Sequence, residues 1–235
     1  MQIRESKNYI FSYNKDSITC KDIEKIIEIQ EFCYNFICKY LDVSMKEKIH
    51  YYLCESPKQV GQIYGDNEPC NAFASKPNKV YAVYNEDIKC VGFHEDAHII
   101  SYNTLGIPNI AFLREGLAMF FDKGYLGIDN YSWVRYFISK NRYISLKELI
   151  VNEHFYKISH FITYTIAGAF VDYLICTFGV DNFKQFYMNV TDNFEECFKE
   201  AFKISLKDFE EDFKRYVKVL SRNKDIEKLI EKELG

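Results

Sequence analysis

His94-Glu95-Asp96-Ala97-His98 is the stretch of this chain with chemistry in it, an H-E-x-x-H pattern that uses two of five histidines. On an α-helix, residues four apart lie one above the other. If Gly92 to Tyr102 is one helix, both imidazoles can therefore converge on a single cation. Glu95 lies about 100° further round than His94, beside such a cation and displaced from it, where a carboxylate takes a proton from an attacking water. Imidazole nitrogen suits Zn²⁺ in a four-coordinate site with one position left for solvent, and one zinc per chain is expected. A third protein ligand must come from elsewhere. Pro108 to Lys123 reads as the next helix, with Glu115-Gly116-Leu117-Ala118 near its middle and Glu115 as the candidate. Gly116 costs about 1 kcal/mol relative to Ala inside a helix, which a close helix approach would compensate. The bland alternative is a soluble helical protein with an accidental motif, which predicts no zinc at all.

The elements that must position these residues divide the chain by punctuation. All four prolines (Pro57, Pro69, Pro77, Pro108) precede Asn109, and after Gly127 only Gly168, Gly179 and Gly235 remain. Tyr9 to Tyr13, Lys48 to Leu53 and Val80 to Tyr84 alternate as strands do, and Asp22 to Leu41 has apolar residues at helical spacing. Ser205 to Leu220 is the clearest helix, with Leu206, Phe209, Phe213, Tyr216, Val217 and Leu220 on one face and Ser205 with Asp208 forming a capping signal. The expectation is an α+β fold: an N-terminal mixed lobe (1–105) with a small sheet and the motif helix, and an all-helical C-terminal lobe (106–235). Asn223 to Glu233 mixes both charge signs and reads as a solvated helix.

Composition excludes several classes. Thirty Lys and Arg against 34 Asp and Glu leave a net charge of −4, so no nucleic-acid partner is expected. With 48% hydrophobic residues, 19 Tyr and 20 Phe, the chain is no disordered segment. Met1 to Tyr13 lacks the apolar run of a signal peptide, so the chain as written is expected in the cytoplasm, or secreted if a leader has been trimmed. The eight cysteines form no C-x-x-C pair, and idle reduced thiols are expected. Phe161 to Phe178 is apolar with Asp172 as its one charge, but Thr163, Tyr164, Thr165 and Thr177 dilute it, so a buried helix is expected rather than a membrane span.

H-E-x-x-H, sixteen intervening residues (99 to 114), then an E-G-x-A helix resembles the gluzincin branch of zinc metallopeptidases, especially its peptidase MA-like members. Tyr164-Thr165-Ile166-Ala167-Gly168-Ala169-Phe170 is similar to the helix of that family that begins with an active-site tyrosine, and Phe198 to Tyr216 looks like its closing helices. The resemblance covers about residues 80 to 220. It implies a zincin-like fold with the active site in the cleft between the lobes. His94, His98 and Glu115 would bind zinc, Glu95 would be the general base and Tyr164 would donate a hydrogen bond to the oxyanion. His154 and His160 are reserve candidates for the tyrosine's task or for a ligand. Departures limit the likeness. No G-x-M-E-N segment is present, which argues for endopeptidase rather than aminopeptidase action. Met119 stands where some gluzincins carry an acid that orients a zinc-bound histidine, so Asp96, Asp122, Asp129 or a backbone carbonyl would have to serve. Ser101 and Thr104 break the metzincin pattern.

The function expected is that of a zinc metallopeptidase acting on a peptide or protein, with strand Val80 to Tyr84 offering a sheet edge to an extended substrate. The alternative is a zincin-fold binding or scaffold protein that turns over nothing. Oligomeric state is not legible in the sequence.

Overall fold

A computed structural model describes all residues, 1–235. The chain is mixed α+β and falls into two compact units, Met1–Gly106 and Ile107–Gly235.

The first unit is built on a five-stranded sheet. Its elements are β1 (Gln2–Glu5), β2 (Tyr9–Tyr13), α1 (Ile18–Leu41), β3 (Ile49–Cys54), α2 (Pro57–Tyr64), β4 (Ala72–Ser75), β5 (Lys79–Val83) and α3 (His94–Thr104). Strand order is β1-β2-β3-β5-β4; β2, β3 and β5 run parallel, and β1 and β4 are antiparallel edges. Val80 to Tyr84 was expected to be an edge. It is internal, hydrogen-bonded on both sides, and the free edge on that side is β4.

Period-two alternation sends Tyr9, Phe11 and Tyr13 of β2 to the same face as Ile49, Tyr51 and Leu53 of β3 and Val80 and Ala82 of β5. On this face Tyr9 and Phe11 stack with ring centroids 5.2 Å apart, and Phe11 meets Tyr51 at 5.9 Å. Helix α1 packs on β2 and on α3, and α3 packs against β4 and β5. The buried stripe of α1 is Thr19, Ile23, Ile26, Gln30, Cys33, Tyr34, Ile37 and Leu41, at amphipathic spacing and apolar except at Thr19, in the first turn, and at Gln30.

The second unit contains α4 (Ala111–Asp122), β6 (Gly124–Tyr125), β7 (Ile128–Asp129), α5 (Asn130–Ser139), α6 (Leu146–Leu149), α7 (Asn152–Lys157), α8 (His160–Phe178), α9 (Val180–Asn189), α10 (Phe194–Phe202), α11 (Leu206–Val219) and α12 (Lys224–Leu234). The lobe expected to be all-helical therefore holds a small hairpin. Its turn residues Leu126 (φ 51°) and Gly127 (φ 75°) both have positive φ, the conformation that matches a two-residue turn to strand twist. Helix α8 packs on α4, α5 and α9 and is the only helix long and apolar enough to cross a membrane, with 61% of its apolar window buried in the fold. It is read as a core helix. Capping of α11 matches the sequence signal: Ser205 Oγ accepts from Asp208 N (3.1 Å) and donates to Asp208 Oδ2 (2.6 Å).

The crossing of α4 and α8 is set by two glycines. A Cβ on Gly116 would lie 2.9 Å from the Ala167 carbonyl oxygen and 2.8 Å from Val171 Cγ2, and one on Gly168 would lie 2.7 Å from Met119 Cβ. The two helix backbones meet closely enough that no side chain fits between them at these positions. That explains a glycine in the interior of each helix despite its propensity cost.

Candidate metal centre

Helix α3 begins at His94 itself, two residues after Gly92, whose φ of 139° is readily adopted only by glycine. Its N-cap residue, Phe93, supplies no side-chain cap, and the first turn carries Glu95 and Asp96, acids favoured by the helix dipole there. The helix ends where Leu105 N and Gly106 N both return to the Ser101 carbonyl. Within it His98 is 6% exposed, His94 and Glu95 are half-buried, and the two imidazole centroids stand 5.0 Å apart. Glu115 is half-buried on α4, between Arg114, whose Nη1 donates to the Pro108 carbonyl, and the closely packed Gly116. Helix α4 starts later than Pro108 because its N-terminus is held from outside, the Ala111 N–H donating to Asn152 Oδ1 at 2.7 Å.

One ligand atom from each of His94, His98 and Glu115 lies within 4.8 Å of the other two. Donors at about 2.0–2.1 Å from a tetrahedral ion are about 3.4 Å apart, a separation inside that limit. Two imidazoles and a carboxylate are a donor set that fits a first-row divalent cation. His98 has a partner that orients it: Tyr102 Oη lies 3.2 Å from Nδ1, with the rings 5.4 Å apart. With Nδ1–H donating to the Tyr102 hydroxyl oxygen, the Nε2 lone pair is the one a metal would take. Sequence reasoning missed Tyr102, although it follows His98 by one helical turn.

The acids considered for that orienting task are otherwise engaged where their bonds are resolved. Asp129 caps α5, accepting from Ser132 N at 2.9 Å and Ser132 Oγ at 2.6 Å. Asp96 turns into the interior, where it meets Tyr9 Oη and accepts from Gln30 Nε2 at 3.0 Å. Burial pushes the Asp96 carboxyl well above the usual carboxylate range, with the hydrogen bonds to Tyr9 and Gln30 opposing. The one phenol proton of Tyr9 faces two acceptors, Asp96 and the Gln30 carbonyl (2.9 Å). Asp122 ends α4, and Met119 is buried in the core.

Tyr164 lies in the second turn of α8, half-buried, with its ring 5.7 Å from Phe155. The reserve histidines are both exposed: His154 on α7, and His160 at the first position of α8 with its ring 5.0 Å from Phe161. Neither belongs to the converging group. No protein-family model and no curated protein matches the chain. None of the eight cysteines is in a disulfide. Burial pushes the Cys90 thiol up to about 11, the Glu95 carboxylate adding to the effect and His94 opposing it, so this neighbour of the motif is a protonated thiol at neutral pH.

Proposed function

We propose that this protein is a zinc-dependent endopeptidase of zincin-like, gluzincin-type fold. One observation carries the reading: His94, His98 and Glu115 present ligand atoms within 4.8 Å of one another, with Glu95 on the same helix as the two histidines. H-E-x-x-H with a third, acidic ligand is the arrangement of a metal-assisted hydrolase. The ion that these three residues would hold would lower the pKa of a bound water to near neutral and would polarise a carbonyl. Glu95 accepts the proton of the attacking water and returns it to the leaving amine nitrogen. Tyr102 Oη, accepting from His98 Nδ1–H, orients the His98 ring. Tyr164 donates to the carbonyl oxygen as charge builds on it, a contribution of about 3 kcal/mol to the barrier by comparison with other such donors.

Strand β4 supports a peptide substrate. It is the outer strand of the sheet, half-exposed along its length and packed beside the motif helix. An extended chain can add to such an edge through backbone hydrogen bonds without regard to sequence. The test is metal analysis of protein purified without added zinc, followed by casein or peptide-library digestion. One equivalent of zinc, with cleavage abolished and zinc retained in Glu95→Gln, is the expected result. Stoichiometric zinc without cleavage points instead to a binding module, and absence of zinc at micromolar free metal overturns the site.

A further inference from the structure

Three polar side chains lie wholly inside the first unit and take no part in the chemistry above: Tyr9, Gln30 and Asp96, each 0% exposed. Gln30 interrupts the apolar stripe of α1 between Ile26 and Cys33, where burying an amide is unfavourable unless it is hydrogen-bonded. Its amide is fully used. Oε1 accepts from Gly92 N at 2.6 Å; Nε2 donates to Gly92 O at 3.2 Å and to Asp96 Oδ2 at 3.0 Å. The side chain thus pairs with both polar groups of one glycine, as a neighbouring strand would. The Gln30 main chain is tied in as well, its carbonyl accepting from Tyr9 Oη, which also bonds Asp96.

These bonds bracket His94. Gly92 lies two residues before it and Asp96 two after, and the first turn of α3 has no side-chain cap of its own. His98, one turn further in, is held by intrahelical bonds and by Tyr102; His94 is the first helical residue and has no turn before it. A slight fraying or rotation of this turn would separate the imidazoles while leaving the rest of α3 in place.

We infer that Gln30 is a positioning residue of the metal centre: clamping Gly92 and Asp96, it fixes the first turn of α3 and aims His94 at the ion, with Tyr9 holding the clamp. The inference rests on the metal-site reading above. Its test uses the full chain, Zn²⁺ affinity by chelator competition, and the visible spectrum of bound Co²⁺, which reports ligand geometry. The variants are Gln30→Leu and Tyr9→Phe, with Val60→Ala as a control that removes core volume from α2 of the same unit. Gln30→Leu is expected to weaken zinc binding 10- to 100-fold, the usual effect of losing a partner that orients a ligand, and to change the Co²⁺ spectrum. Tyr9→Phe, which keeps the ring and loses only the phenol link, is expected to do the same to a smaller extent. Val60→Ala should lower the unfolding midpoint with zinc affinity unchanged. Wild-type affinity and spectrum in folded Gln30→Leu overturn the inference, as does an equal affinity loss in Val60→Ala at matched stability. If Gln30→Leu does not fold, Tyr9→Phe decides by the same criteria. A wild-type chain that binds neither metal overturns the metal site itself, and the clamp falls with it.

Discussion

Replacing Gly116 by alanine pits two well-calibrated effects against each other on the helix that carries Glu115. In a helix interior the change is worth about 1 kcal/mol in favour of alanine. The new Cβ, however, would stand 2.8 Å from Val171 Cγ2, 2.9 Å from the Ala167 oxygen and 3.2 Å from the Ala167 carbon. Optimal carbon contacts lie at about 3.5–4.0 Å. Val171 is β-branched with one strongly favoured rotamer in a helix, and Ala167 offers only main chain, so neither can turn aside. Relief requires α4 and α8 to part by about 0.7 Å along a contact that includes Phe112 and Phe170, whose centroids are now 5.1 Å apart. Overpacking of this kind costs about 1–3 kcal/mol, and two contacts under 3.0 Å put it near the upper end. The net expectation is about 2 kcal/mol of destabilisation, or a Tm lower by about 4–8 °C in a chain of this size. Differential scanning calorimetry of metal-free protein measures it. Because residue 115 moves with residue 116, zinc affinity should fall as well. An unchanged or higher Tm would mean that helix propensity wins and that the close crossing does not govern this position.

Tyr102→Phe should leave stability nearly unchanged and weaken zinc about 10-fold, read by chelator competition, because His98 loses the partner that orients its ring. Gly168→Ala should destabilise more than Gly116→Ala, since its Cβ would meet Asn130 Nδ2 at 2.5 Å and Asn130 is pinned by donating to the Met119 carbonyl at 3.0 Å; urea titration compares the two. Burial pushes Tyr34 and Tyr84 up to about 12, Tyr84 also through its hydrogen bond to Asp22. With unfolded phenols near pKa 10, their contribution is intact below about pH 10 and is lost as pH rises through 12, so the phenolate absorbance missing from Tyr34→Phe and Tyr84→Phe should belong to the alkaline unfolding step rather than precede it. Among the thiols, exposed Cys176 should react first with a disulfide reagent in native protein; Cys54 and Cys90, both pushed up to about 11, should wait for unfolding.

Much of the fold was legible where a period runs long enough to be counted. The α1 stripe, strand β2 with its ends and the capped α11 were all readable from spacing. Strand β4 was not: four residues, Ala-Phe-Ala-Ser, half-exposed throughout, carry no clear alternation. Missing it made β5 look like the outermost strand, which is how an internal strand came to be expected at the edge. Helix α2 hid behind Pro57 and Gly61, which read as breakers. Pro57 is the first residue of that helix, and Gly61 is required because a Cβ there would lie 1.8 Å from the Glu68 carbonyl oxygen, a tertiary constraint with no trace in local sequence. The β6–β7 hairpin has two residues per strand, below any period.

The candidate site divides along the same line, and for a physical reason. Metal ligation needs particular atoms at a fixed helical separation, so His94, Glu95 and His98 declare themselves within five consecutive residues. What aims them has no such restriction: Gln30 reaches Gly92 and Asp96 across 62 and 66 positions, and Tyr9 reaches Asp96 across 87. The sequence carries only an indirect sign, one amide in the middle of a largely apolar helical face and an acid inside the motif helix. Burying polar groups is unfavourable unless each is hydrogen-bonded, so a largely apolar face that keeps a glutamine is expected to hold something in place. Here what it holds is the turn from which the first imidazole projects. Candidate ligands can therefore be read from a motif, while on the clamp proposed above the precision of the site would depend on distant polar residues that break an apolar pattern.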